Sequence, residues 1–117
     1  MALNLNAIGK KIGPYTKDYT WKDTVLYALG VGAGYSDLDY CYEKNLKVIP
    51  SFAITTAYDL MPELAATSKI NLAGILHGEH EIIFHNPIPP QGTLSTAGAL
   101  THYYDKGNDK GALVIAE

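Results

Sequence analysis

Polar and apolar positions along the chain divide it into a helix-containing first half and an extended second half. Residues 15–20 (Tyr15-Thr16-Lys17-Asp18-Tyr19-Thr20) alternate as a short strand does, after a partly extended lead-in over residues 1–14. Thr20 followed by Asp23 has the form of a capping box, and Trp21, Val25, Ala28 and Leu29 then share one helical face. The run Gly30-Val31-Gly32-Ala33-Gly34 ends that helix. Residues 35–46 are polar and tyrosine-rich, a surface excursion that carries Asp37 and Asp39. Ser51 then reads as the N-cap of a buried helix over residues 52–61, limited by Pro62, with a connection over residues 63–71. From His80 to Phe84 the near-alternation predicts a half-buried strand, the one around which the sheet is organised. Pro87, Pro89 and Pro90 make a corner, because each lacks a ladder donor. A long strand over residues 93–104, a turn over residues 105–111 and a strand over residues 112–116 complete an antiparallel meander, giving an α+β fold.

Bulk properties narrow the function classes. A chain of 117 residues with 47% hydrophobic and 18% charged content reads as one globular domain. The net charge is −3 and all nine basic residues are lysines, which argues against a nucleic-acid partner. No apolar run approaches the ~20 residues of a membrane span, and no secretory signal is expected at the N-terminus. The single cysteine, Cys41, rules out an internal disulfide and fits a reducing compartment.

Several constellations invite chemistry, and most have a plainer reading. The glycines at 30–34 follow a helix, whereas a dinucleotide loop must leave a strand and open one. His77, Glu79, Glu81 and His85 would share one face of a strand, with His80 and His102 elsewhere, yet none has zinc-protease spacing and no metal site is expected. The carboxylate pairs Asp37 with Asp39 and Glu79 with Glu81 could divide acid and base work only if burial split them, and solvated pairs are commoner. No Gly-x-Ser-x-Gly elbow occurs. His77-Gly78 allows close approach of a ligand or of another backbone, and Lys106 is a flexible cation suited to a phosphate. A β-bulge glycine and a solvated turn lysine are the bland alternatives.

Four separated segments carry a resemblance. They are Leu26-Tyr27-Ala28-Leu29-Gly30-Val31-Gly32-Ala33, Leu76-His77-Gly78-Glu79, Pro87-Ile88-Pro89-Pro90-Gln91-Gly92-Thr93-Leu94 and Asp105-Lys106-Gly107. In order and spacing they resemble the N-terminal half of the MaoC-like dehydratases, specifically the (R)-specific enoyl-CoA hydratase 2 of peroxisomal multifunctional enzymes, from about Ile8 to Glu117. The resemblance implies a hotdog fold, an antiparallel sheet wrapped around a long helix, in which residues 1–117 form an incomplete N-terminal repeat. It implies an acyl-CoA or enoyl-CoA ligand bound beside a second repeat, with no metal or redox cofactor. Carried over motif by motif, the substrate contacts fall on His77, Gly78 and Lys106, the last suited to the anionic CoA.

The family's catalytic signature, Gly-Asp-x-Asn-Pro-x-His, is absent from the chain, so no catalytic residue is assigned. The expectation is therefore a substrate-binding half of a hydratase of fatty-acid β-oxidation, with the catalytic repeat in cis or in trans. A stand-alone acyl-CoA binding or assembly module is the alternative, and a hotdog thioesterase a third. Homo-oligomers are expected from the unfinished sheet edge, with a peroxisomal address in a eukaryote or a cytoplasmic one in a bacterium.

Overall fold

A computed structural model describes residues 3–117. Among these the chain is α+β. Its regular elements are β1 (Lys11–Tyr19), α1 (Trp21–Gly30), α2 (Leu38–Cys41), α3 (Ile54–Ser68), β2 (Gly92–Asp105) and β3 (Ala112–Ala116). The strands form one sheet in the order β1-β2-β3. Gly13 lies against Thr96 and Asp18 against Thr93, so β1 runs opposite to β2, and β3 is antiparallel to β2 as well. This three-stranded antiparallel sheet with its helix is the architecture of a hotdog domain.

The chain divides into two compact units, to which β1, β2 and α3 each contribute residues. The first comprises the described residues up to Tyr15 together with Tyr58–Gly78 and Thr96–Glu117. Its core is Ala7, Ile12, Leu64 and Leu100, with Leu60, Ile70, Tyr103 and Val114 packed around them. On α3, Leu60, Leu64 and Ser68 recur every fourth residue and so lie on one face. Gly98 of β2 admits that face: a Cβ there would stand 3.2 Å from Leu60 Cδ1 and 2.7 Å from the Glu117 carbonyl oxygen. Register slips between Leu100 and His102, which leaves Thr101 as the odd residue. The slip lets Leu100 and Tyr103, three apart, both reach the core.

The end of α3 is closed by the start of the chain. The Asn4 amide N–H donates to the Ser68 carbonyl at 2.9 Å and its side-chain Nδ2 to the Thr67 carbonyl at 3.0 Å. The fully buried Ser68 hydroxyl donates to the Leu64 carbonyl at 2.6 Å. Carbonyls that a helix leaves without partners in its last turn are thereby satisfied.

The second unit comprises Thr16–Ala57 and Glu79–Ser95. Its helix α1 starts in the expected capping box, with the Asp23 carboxylate accepting the Thr20 amide at 2.7 Å. It stops in a Schellman turn: Gly32 donates to the Leu29 carbonyl and Ala33 to the Ala28 carbonyl, with Gly32 at φ +107°.

Four expectations from the sequence need correction. The predicted central strand over residues 80–84 does not form; residues 75–91 are irregular and mostly exposed, and β2 is the central strand. Alternation without a ladder partner cannot make a strand, and Gly78 and the prolines bracket this stretch closely. Next, the helix expected to end at Pro62 begins at Ile54 instead, after a 3-10 turn over Pro50–Ala53, and runs through Pro62 to Ser68. Pro62 removes one donor on the exposed side, while burial of Leu64 and Ser68 carries the helix onward. The buried face of α1 is Thr24 and Ala28; Trp21 and Leu29 are exposed. Finally, β1 begins at Lys11, inside what reads as a lead-in, because Ile12 enters the core.

Candidate functional site

The second unit is built around three aromatic rings brought by three elements. Tyr19 ends β1, Tyr27 lies on α1, and Phe52 sits in the Pro50–Ala53 turn. The Tyr19 and Phe52 centroids are 5.3 Å apart at 51°, and Tyr27 meets Phe52 edge-on at 5.6 Å and 79°. The edge-on Tyr27–Phe52 pair is a favoured aromatic geometry, and both centroid distances are within contact range. The hydroxyls then find partners beyond the rings. Tyr27 donates to Ser51, whose Oγ is 3.0 Å away, and Tyr19 donates to the Pro89 carbonyl at 2.7 Å. Burial holds the Tyr19 phenol above its ordinary value, so at neutral pH it remains a donor.

Against this cluster stands an open cleft of about 840 Å³. One wall is residues 84–90, from Phe84 through the proline corner; the other is Leu46, Lys47, Val48 and Pro50, with Tyr40 of α2. The lining is largely aliphatic, aromatic or proline, apart from Lys47, His85 and Asn86. Lys47 pairs with Asp39 at 2.9 Å, and that hydrogen bond and its charge raise the lysine above its ordinary value. The Lys47 amide also donates to the Asp39 carbonyl at 2.7 Å, which ties this wall to α2. Asp37 accepts the Gly34 amide at 2.8 Å, so each member of the Asp37/Asp39 pair has a structural partner. Chemically the cleft offers an apolar slot with a few polar groups, the arrangement of a binding site for an apolar chain. A second, smaller groove of about 300 Å³ lies beside Tyr19, Leu26 and Tyr27.

The three substrate contacts expected from the motifs, His77, Gly78 and Lys106, lie in the first unit and are not among the residues lining this cleft. His77 and Gly78 are exposed at the end of the Tyr58–Gly78 segment, and Lys106 is exposed in the turn between β2 and β3. That turn is closed by the Asp105 carboxylate accepting the Gly107 amide at 2.8 Å and by Lys106 N–H donating to the Gly111 carbonyl. A Cβ on Gly78 would meet nothing within 4 Å. The chain's own packing therefore does not demand a glycine there. His85 is the one singled-out histidine on the cleft; His77, His80 and His102 are not among its lining residues. No three His, Cys, Asp or Glu side chains come together among the described residues in a way that could hold a metal.

The cleft itself was half visible in the sequence. The proline corner was evident, but nothing marked residues 46–50 as its opposite wall. Tyr19 reaches Pro89 across 70 positions, a distance no local pattern reports.

Residues 17–117 match the family model described as the MFE-2 hydratase 2 N-terminal domain. The 3-hydroxyacyl-thioester dehydratase Y of Mycobacterium tuberculosis is 36% identical, covering 98% of the chain and 41% of that protein. The peroxisomal multifunctional enzyme type 2 of Mus musculus is 30% identical over 97% of the chain and 16% of its own length. The peroxisomal hydratase-dehydrogenase-epimerase of Saccharomyces cerevisiae is 37% identical over 83% of the chain and 11% of its own length. The chain thus spans well under half of each relative. By this match and its fold, the chain belongs to the family of hydratase 2 N-terminal domains.

Proposed function

We propose that this chain is the acyl-CoA-binding half of an enoyl-CoA hydratase, which adds water reversibly to trans-2-enoyl-CoA to give (3R)-3-hydroxyacyl-CoA in fatty-acid breakdown. The observation that carries the reading is a pair: residues 17–117 match a hydratase domain, yet the chain lacks the Gly-Asp-x-Asn-Pro-x-His signature. Binding and chemistry are then divided between two repeats. Within the second unit the apolar cleft suits an acyl chain; within the first, the motif resemblance gives the substrate contacts to His77, Gly78 and Lys106. An aspartate and a histidine of a second hotdog repeat move the proton of the attacking water, which requires no metal or redox cofactor. The greater length of the relatives supports a repeat joined in cis. Association of copies through the β3 edge belongs to the same reading, as does a peroxisomal setting like that of the mouse and yeast relatives. No helix among the described residues is long and apolar enough to cross a membrane.

Calorimetric titration with trans-2-decenoyl-CoA and with free CoA tests the proposal. Tighter binding of the ester supports it; equal affinity, or none for either, refutes it.

A further inference from the structure

The wall formed by residues 87–90 has an unusual way of being held. Three of its four residues are proline, so only Ile88 carries a backbone donor and the wall cannot be stitched into a sheet. Among the described residues no backbone N–H reaches its carbonyls. With no amide in reach, a fixed hydrogen bond from the protein to this wall has to come from a side chain, and two hydroxyls stand nearby. The Thr24 hydroxyl has one proton and lies 2.9 Å from the Trp21 carbonyl but 3.5 Å from that of Pro90, so its own helix takes it. The Tyr19 hydroxyl at 2.7 Å from the Pro89 carbonyl is the firm latch. Its ring, meanwhile, packs on Phe52, in the same short turn that supplies Pro50 to the opposite wall. One buried side chain therefore touches the supports of both walls.

Resting on the acyl-binding reading above, we infer that Tyr19 is a positioning residue of the cleft: its hydroxyl sets the place of the proline wall and so governs how well a long acyl chain is held. A short acyl group meets little of that wall. Each further methylene gains affinity only where the wall stands against it. Tyr19 neither touches the reacting atoms nor contacts CoA in this account. The signature of its role is a change in chain-length preference, which a general loosening of the fold does not produce.

The test is calorimetric titration of the chain and its Tyr19→Phe variant with butanoyl-CoA and dodecanoyl-CoA. Phenylalanine keeps the ring against Phe52 and removes only the donor. The dodecanoyl-CoA dissociation constant is expected to rise roughly fivefold while that of butanoyl-CoA stays within about twofold. An unchanged ratio, whether both constants rise together or neither moves, overturns the inference while leaving the acyl-binding reading intact. Failure of the unsubstituted chain to bind either ester overturns both. If Tyr19→Phe does not fold, replacing Tyr19 by 4-fluorophenylalanine fills the space of the hydroxyl without donating to the Pro89 carbonyl, and the same shift in ratio is expected and decisive.

Discussion

The same substitution at two leucines separates this structure from the one its sequence suggests. Leu64 lies past Pro62, where a connection was expected, yet it is 9% exposed in the core with Ile12 and Leu100. Leu26 is a helix residue 70% exposed. Truncating Leu64 to alanine removes roughly three methylene equivalents, about 2.4 kcal/mol of transfer free energy at ~0.8 kcal/mol each. The cavity left behind raises the cost to about 3 kcal/mol or more, because the facing strand residues can close it only in part. For Leu26→Ala the covered fraction is small and alanine's helix propensity offsets part of it, so the cost is about 0.5 kcal/mol or less. Urea denaturation followed by circular dichroism measures both, with the slope checked for constancy so that midpoints convert to free energies. At an unfolding entropy of about 2.1 cal/mol/K per residue, 3 kcal/mol corresponds to a fall in Tm of roughly 12 °C. A Leu64→Ala cost below about 1 kcal/mol would show that the second half of α3 does not pack on the sheet, and the fold described above would be wrong.

Other perturbations probe separate parts. Gly98→Ala places a methyl 2.7 Å from the Glu117 carbonyl and 3.2 Å from Leu60 Cδ1, so it disturbs the pairing of Glu117 with β2 and crowds α3, and is expected to cost about 2 kcal/mol or more in the same denaturation assay. The Tyr15 phenol donates to Glu63 at 2.8 Å, and this bond raises it above its ordinary value of 10.0. The folded state therefore holds that proton more tightly than the unfolded chain. Its stabilising contribution is fully present below pH 10 and is lost as pH rises through the raised value. Tyr15→Phe should accordingly show a shallower alkaline fall in urea midpoint than the unsubstituted chain. In the whole enzyme, Lys106→Ala should weaken acyl-CoA binding by about fivefold to tenfold, an effect that shrinks with added salt, while folding is unchanged. Gly78→Ala should leave the melting temperature alone, since open space surrounds that position, and any loss of CoA-ester affinity then reports a ligand contact.

Legibility from sequence followed the range of the forces involved. The β2–β3 hairpin, the capping box at Thr20 and Asp23 and the glycine stop of α1 could be read because their determinants lie within a few residues of one another. The stretch from His80 to Phe84 misled because alternation reports a side-chain pattern, whereas a strand also needs a partner for its backbone groups. Pro62 misled in the opposite direction. Its local penalty was plain, but the burial that outweighs it comes from Ile12 and Leu100, dozens of residues away. The site divided the same way. Motif resemblance picked out His77, Gly78 and Lys106 on exposed loops, while the cleft depends on Tyr19, Phe52 and Pro89, which only folding brings together.

The most direct test of the account is hydration of crotonyl-CoA and of a longer trans-2-enoyl-CoA by this chain alone, followed as loss of enoyl absorbance, with binding of the same esters measured in parallel. The account predicts binding without turnover, with turnover appearing once a repeat bearing Gly-Asp-x-Asn-Pro-x-His is supplied. Steady turnover by the isolated chain would contradict it, since one of its own aspartates or histidines would then be doing the chemistry.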